Sequence, residues 1–534
     1  PTGEEFVQVD SALVHCLGGL FSRTYTVTLT YGDGSEAIGR YTTPDGDQSG
    51  DADRTSAPYI MYVLWRTLLQ HPNYRSDLTE VKLSNTTVVP LIKGSDIESD
   101  AVSDPAVQVR DWAEVPINPT PPPNPDLSEV DSGSTMWVEG GANLRVAVDD
   151  GEGGPYLKAI SDQTSYPEDL PEHAPHGYFV KILGSDAGRA DVYYLRFNSS
   201  NTGVVGNGFG REGIWEEWHD YTKRSQLDET TMPHKLKKTG AGTMSFGPAS
   251  WNGRRVGDEE SNPVPEFVNQ KIRDIEGFQS RLVFVAGGAV SMSATNEPTE
   301  FWKESALTEL DTDPIHMRTT EEGNTSLDWI IPFDRDLVLV SQPGTGQYII
   351  NGDTKITPQT AAMVKSTSFQ VSGKAKPVET GRTILLPFRS GTWSGVKEFF
   401  TNDDDATNGA DTLTETLDRY IVGGIREMQC SVNFNTVLIA SNWRNVNRSV
   451  WVYKYLWQGT DKVQSSWSRW EFPKEVEYFW FDDSKINIIM SDISPGENNG
   501  HLLLGVMDID IPVDEVAGYH VCMDRKSTQD ANGI

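Results

Sequence analysis

Glu216, Glu217 and Asp220 lie beside Trp215, Trp218 and Tyr221, the residue types of a saccharide platform with acids at hand. Glycoside hydrolysis needs two carboxylates flanking the scissile bond, roughly 5 to 9.5 Å apart depending on mechanism. The chain holds 77 acidic residues, so sequence spacing alone does not select such a pair, and aromatic residues commonly serve packing instead. Asp45-Gly46-Asp47-Gln48-Ser49-Gly50-Asp51-Ala52-Asp53 offers oxygen ligands at alternate positions and a glycine at the sixth, as a calcium loop does. Its twelfth position is Ser56 where a bidentate Glu is needed, and Thr42-Thr43-Pro44 does not form an entering helix, so a solvated turn is expected. Asn402-Asp403-Asp404-Asp405 reads in the same way as an exposed acidic loop.

Other chemistries lack their residues. Gly208-Phe209-Gly210-Arg211-Glu212-Gly213 has the GxGxxG spacing, but a polar loop precedes it and no helical pattern follows, whereas a dinucleotide fold needs a strand before and a helix after. Cys16, Cys430 and Cys522 are too dispersed for a zinc site or a disulfide framework and are expected to be buried free thiols. The nine histidines show no HExxH spacing, and there is no GxSxG. The residues therefore predict no catalytic set, no cofactor and no metal site.

The elements that would position any such groups are mostly strands. In 277–316, Arg281 to Ala286 and Ala289 to Ser293 form two apolar strands meeting at a Gly-Gly turn, followed by a break at Asn-Glu-Pro and a Phe301-Trp302 pair. A tight hairpin with an aromatic anchor is the pattern of one propeller blade. Thr24 to Thr30 and Ala37 to Tyr41 predict another hairpin, and 57–71 places Ile60, Val63, Leu64 and Leu68 on one helical face. With further strands at Val81 to Val89 and Leu144 to Val148, residues 1–171 read as a small α+β domain. Within it, 94–140 carries NPTPPPNPD, which favours an extended surface excursion, a spacer or a polyproline ligand.

From 172 to 534 short strands recur every eight to twelve positions, the spacing of a sandwich or propeller. They include Tyr178 to Leu183, Val192 to Phe197, Leu337 to Ser341, Tyr348 to Ile350, Thr383 to Phe388, Thr436 to Ala440, Val450 to Trp457, Trp467 to Phe472 and Ile486 to Met490. Fifteen tryptophans suit the wedges between blades, although no exact repeat of 40 to 50 residues is visible. The expected fold is mainly β: a β-propeller-type domain with an inserted small α+β domain.

Composition narrows the partners. A net charge of −32 repels a phosphate backbone, which disfavours tight nucleic-acid binding yet suits a conduit whose wall must not hold DNA. The same acidity also serves solubility. No apolar run approaches the roughly 18 residues of a spanning helix, and PTGEEFVQVD lacks the regions of a signal peptide, so a soluble chain is expected.

In chain order, Gly18 to Arg23, Pro44 to Gly46, Ala174 to Ile182, Thr231 to His234, Phe278 to Leu282 and Asp311 to Ile315 form a series of short segments that resembles the tail tubular protein B, or tail nozzle, family of short-tailed podovirus bacteriophages. Gly18-Gly19-Leu20-Phe21-Ser22-Arg23 and Pro44-Asp45-Gly46 are similar to its GGxYxR and PDG pieces, with Phe21 in place of Tyr. Ala174 to Ile182, around Gly177, resembles its APxGYxVKI strand, and Thr231-Met232-Pro233-His234 its TMPH turn. Phe278 to Leu282, with Arg281, resembles FRxRL, and Asp311-Thr312-Asp313-Pro314-Ile315 resembles DxDPI. Pro332-Phe333 with Leu337 and Ser341, Ala375-Lys376-Pro377 with Gly381-Arg382, and Ser466-Trp467-Ser468-Arg469-Trp470 continue the series to about residue 470.

The resemblance implies a non-enzymatic structural virion protein of the phage tail, a homohexameric nozzle ring through which the genome is ejected. It implies a tail adaptor (gatekeeper) protein above the ring, tail fibres at that junction, DNA passing through the lumen without specific binding, and a host cell surface at the tip. Relatives carry a propeller with platform and fork-like insertions, an N-terminal region before the first hairpin and a long tip region after residues matching Gly518 to Asp524. The chain lacks the last two, which leaves open a portion of a larger protein or a propeller completed by segments outside it. Arg23, Pro44, Gly177, Pro233, Arg281, Asp311, Asp313, Pro314, Trp467 and Trp470 are the expected structural landmarks, and Arg281→Ala is expected to impair folding or ring assembly. The competing reading is a tail hydrolase or lectin acting on envelope or capsule polysaccharide, which a fold alone does not exclude.

Overall fold

The computed structural model describes residues 10–84, 134–141, 143–184, 192–199, 213–220, 222–223, 225–319, 326–342, 346–372, 374–402, 407–417, 419–492 and 501–509. The proline-rich run, the GxGxxG string up to Arg211-Glu212, Tyr221, the acids 403–405 and Cys522 lie outside them. The chain gathers into two compact units, the first drawn from Pro1–Asp228, Gly253–Pro263 and Lys303–Glu309, the second from Glu229–Asn252, Val264–Trp302 and Leu310–Ile534. Residues 172–228 thus gather with the first unit, although the strand pattern changes at 172.

In the first unit, strands β1 (Ser11–Cys16), β2 (Thr24–Thr30) and β3 (Glu36–Thr42) precede helix α1 (Ala57–Leu69). There follow β4 (Thr79–Leu83), β5 (Thr135–Gly140), β6 (Arg145–Asp149), β7 (Leu157–Ile160), β8 (Gln163–Thr164), β9 (Phe179–Ile182), β10 (Tyr193–Ser199) and β11 (Gly213–Trp218). They form sheets β4-β5-β1-β7, β3-β2-β6 and β11-β10-β9-β8. The end of the expected 94–140 surface excursion is instead β5, paired on both edges with Thr135, Met136, Trp137 and Val138 buried, because its apolar residues join the cores on either side of the sheet. The predicted hairpin is β2–β3, whose alternation buries Tyr25, Val27 and Leu29, and α1 buries Ile60, Leu64 and Leu68 on its expected face. Every residue of β1 is buried, because the strand has a core on each side. Val14 and Cys16 join the core under α1, while Leu13 packs with Trp137, Tyr178, Val180, Leu195 and Phe197. That second core attaches β9 to β11 to the unit.

The second unit opens with a two-stranded ribbon, β12 (His234–Gly240) and β13 (Thr243–Pro248). Sheet I is β14 (Ile272–Phe278), β15 (Arg281–Ala286), β16 (Ala289–Met292) and β17 (Ile315–Arg318); sheet II is β18 (Ser326–Phe333), β19 (Asp336–Gln342), β20 (Gln347–Ile350) and β21 (Met363–Thr367). Sheet III is β22 (Val378–Glu379), β23 (Ile384–Ser390), β24 (Trp393–Thr401) and β25 (Asn408–Thr412), with β26 (Ile421–Val422) beside β24. Sheet IV is β27 (Ile425–Ser431), β28 (Thr436–Ser441), β29 (Ser449–Gln458) and β30 (Asp461–Glu471), and sheet V is β31 (Glu475–Asp482), β32 (Lys485–Asp492) and β33 (His501–Asp508). Each is an antiparallel meander in chain order.

Successive sheets share cores. Val283, Val285 and Met292 of sheet I meet Leu327, Leu337 and Leu339 of sheet II, whose opposite-facing Ile331, Val338 and Val340 meet Ile384, Leu386 and Phe399 of sheet III. Leu385 and Val396 turn the other way onto Met428, Val437, Trp451 and Tyr453 of sheet IV, and Val450 and Val452 face Phe479, Ile486 and Ile488 of sheet V. Period-two alternation is the cause: strands apolar on both faces need a core on both sides.

Candidate functional site

A buried polar junction inside the second unit surrounds Arg281, the first residue of β15. A hairpin turn at Gln279-Ser280 delivers it, with φ of 45° and 60° at two residues that are not glycine. Positive φ at both central positions is the habit of the tight hairpin turn that matches strand twist, and non-glycine residues there carry strain. The Gln279 side chain offsets it: its amide nitrogen donates to the Gly352 carbonyl (2.9 Å) and its oxygen accepts from the Ile356 N–H (3.0 Å). The turn of sheet I is thereby fastened to the loop after β20 of sheet II.

Arg281 itself is 3% exposed. Its Nη1 donates to the carbonyls of Ser293 and Asp313, each at 2.7 Å, and its Nη2 donates to the carbonyl of Asp311 at 2.9 Å. Longer contacts reach Thr312 (3.4 Å) and Ile356 (3.5 Å). The planar guanidinium thus gathers carbonyls from the end of β16, the 311–313 loop and sheet II. Burial lowers its pKa and the Asp313 charge opposes that, yet arginine remains a cation with donors only. Asp313 is buried and accepts the Leu310 N–H at 2.8 Å, shaping the loop that presents these carbonyls, and buried Pro314 leads into β17. Arg281, Asp311, Asp313 and Pro314, separated by thirty residues, are brought into one junction.

The aromatic anchor covers the opposite face of sheet I. Phe301 stacks on Phe284 at 4.9 Å, and Phe267 meets both rings edge-on at 5.0 and 5.3 Å. Trp251 closes the group at 5.8 Å from Phe284. Trp467 and Trp470 lie three apart on β30 and so take opposite faces: Trp467 packs on Tyr453 at 4.8 Å in the core shared with sheet III, Trp470 in the core shared with sheet V.

In the first unit, Arg23 and Pro44 are neighbours. The Ser22 N–H donates to the Pro44 carbonyl and the Thr43 N–H to the Arg23 carbonyl, both at 2.8 Å, while the Arg23 guanidinium pairs with Glu152. Gly177 has a φ of 88° in a turn closed by Tyr178 N–H to the Pro175 carbonyl at 3.0 Å, a conformation that favours glycine. The turn seats Tyr178, whose hydroxyl donates to the Ser161 carbonyl at 2.8 Å. Pro233 precedes β12, with buried Met232 beside it. The landmarks therefore occupy turns and junctions in both units.

In the acidic and aromatic strip the carboxylates take separate partners. Glu217 accepts from the Ser305 hydroxyl (2.8 Å) and the Ala306 N–H (2.7 Å), whereas Glu216, on the other face of β11, accepts from Asn198 (3.0 Å). Asp220 caps its own turn through the Thr222 N–H at 2.8 Å. Trp215 donates to the Pro171 carbonyl at 2.8 Å and packs on Phe197, and Arg196 lies over Trp218 at 4.3 Å. These groups are engaged in holding β11. Asp51 of the calcium-like loop is buried and accepts the Gln48 N–H at 2.9 Å. Among the described residues no three His, Cys, Asp or Glu side chains group as a metal site.

The ribbon β12–β13 was read in the sequence only as a turn at 231–234, and the Gly240-Ala241-Gly242 turn signal between its strands could have revealed it. Burial also sets the thiols: Cys16 and Cys430 are each pushed up to about 11, and both are free.

Layered antiparallel sheets tied by a carbonyl-binding arginine make a mainly β body whose landmark side chains serve cohesion. The family model for the bacteriophage nozzle protein matches residues 124–533, and the chain belongs to that family. It is 26% identical over 309 residues to the tail tubular protein gp12 of Escherichia phage T7, a match covering 58% of this chain and 37% of that relative. Little more than a third of the relative's length is thus spanned. The family places the chain in the virion tail as a structural, non-enzymatic component. The β-propeller domain of Cps50 (Swd1) of Myceliophthora thermophila aligns at 9% identity and a TM-score of 0.30, covering 56% of this chain and 88% of that one. A putative 6-phosphogluconolactonase of Bacteroides uniformis aligns at 10% and 0.32, covering 61% and 95%. Neither value supports an argument about this chain.

Proposed function

We propose that the second unit is a β-propeller-type body and that six copies of the chain form a ring around a channel for genome ejection. The carrying observation is the succession of sheets I to V, each sharing a core with the next, on a chain of the nozzle family. Meanders packed face against face in chain order are the local arrangement of propeller blades. In this reading a tail adaptor sits on one side of the ring, tail fibres attach near that junction, and the tip meets the host surface.

The chemistry of conduction is repulsion. In this reading acids of a chain whose net charge is −32 face the path, so that DNA slides without neutralising its phosphates against the wall. Negative-stain microscopy and mass measurement of the purified protein test the reading. Sixfold rings with a central opening are expected. A protein that stays monomeric at every concentration, or virion tails that lack six copies, would refute it.

A further inference from the structure

We infer that the ribbon β12–β13 is the arm by which one copy of this chain grips the next, its basic and apolar faces seated on an acidic surface of the neighbour. The inference deepens the ring reading and rests on it. Residues 234–248 hold Lys235, Lys237 and Lys238 and no carboxylate, in a chain of net charge −32. Such a segment is attracted to almost any other surface of the same protein.

The register sorts its two faces. Leu236 pairs with Phe246, and Lys238 with Met244, while Lys237 pairs with Ser245 and Lys235 with Gly247. His234, stacked on Phe246 at 5.4 Å, shares the face of Leu236 and Met244. That face carries an apolar triplet with Lys238 at its edge and is uncovered: Leu236 is 63% exposed, Met244 68% and Phe246 73%. Lys235 and Lys237 point the other way.

Neither edge of the ribbon is paired with a further strand among the described residues. A lone two-stranded hairpin is marginal in water and gains order from a third strand or a packed face, and its open edges can extend a sheet. The apolar triplet distinguishes a protein partner from DNA, because Leu, Met and Phe uncovered together form the centre of a protein interface, rimmed here by lysines.

The test uses the full chain in three forms: wild type, L236S/F246S, and K235E/K237E/K238E. Light scattering after gel filtration across protein concentration and salt reads assembly, and melting temperature reads folding. Wild type is expected to assemble, and each variant to need about thirtyfold more protein for half assembly, as loss of about 2 kcal/mol of contact implies. Melting of the isolated chain should be unchanged. A photoreactive residue replacing Phe246 should crosslink copy to copy even if a variant folds poorly. A wild type that never assembles sinks the ring reading and this inference with it. An assembling wild type with variants that assemble equally, or no crosslink from position 246, sinks the ribbon alone. Variants that keep their mass but lose retention on DNA would make the ribbon a nucleic-acid contact and overturn the inference.

Discussion

Replacing Arg281 by Ala removes the one side chain that gathers the carbonyls of Ser293, Asp311 and Asp313 within 2.9 Å. Hydrogen bonds to charged groups contribute roughly 1.5 to 3 kcal/mol each, and carbonyls stranded by a deletion lose more than the bond itself. The three act through one group and are not additive, so we expect a loss of about 4 kcal/mol. A unit of this size loses about 2 °C per kcal/mol, which places its melting about 8 °C lower. Differential scanning calorimetry measures that shift, and limited proteolysis should cut first at the 311–313 loop. Arg281→Lys keeps the charge but not the planar fork, so it should recover less than half of the loss. Arg281→Met fills the space without donors and should melt close to Arg281→Ala. If Arg281→Ala melts within about 2 °C of wild type, or Arg281→Met equals wild type, carbonyl gathering does not hold the junction.

Phe284→Ala should destabilise the second unit by about 4 kcal/mol by opening a cavity among Phe301, Phe267 and Trp251, read as a lower urea midpoint with unchanged slope. Burial alone would raise Asp150, but the N–H groups of Gly154 (2.8 Å), Glu152 and Tyr156 (both 3.2 Å) win and lower it. Its contribution is therefore full above the unfolded carboxyl value and is lost as pH falls through the native one; Asp150→Ala should cost about 2 kcal/mol at pH 7 and flatten the acid limb of a stability profile. Cys16 and Cys430, raised from 9.0 to about 11, support the fold below pH 9 and lose that support as pH climbs to about 11. Both should resist thiol reagents at pH 8 in the native protein and react on unfolding, which mass spectrometry would count.

Much of the strand content was legible because apolar alternation marks it. The hairpin around Gly287-Gly288 falls where the pattern places it, with φ of 57° at Gly287, and the predicted strands at 337–341, 436–440 and 450–457 lie within β19, β28 and β29. Local signals end there. The turn at Gln279-Ser280 carries no glycine, since its strain is offset by a side chain reaching Gly352, more than seventy residues away. The pairing of β1 with β5 joins His15 to Thr135 across an interval no period reveals. The ribbon escaped notice because its strands are lysine-rich and build no core of their own. At the candidate site, motif resemblance marked Arg281 and the 311–314 loop, but only the fold shows that the arginine binds carbonyls from that loop. The carboxylates of 216–220 show the reverse: the residue types invite catalysis, and their partners Ser305, Asn198 and Thr222 leave them as struts.

The shared cores between successive sheets have a mechanical side. Sheets II, III and IV are each glued to a neighbour by apolar contact on both faces, so a defect in one layer is felt by the adjacent layers and fades beyond them, as in proteins whose energetics are nearest-neighbour sums. A damaged sheet IV would loosen sheets III and V while leaving the bond between I and II intact. Strain applied to such a body is divided among interfaces in series, and the weakest interface, not the average one, sets the load at which it yields.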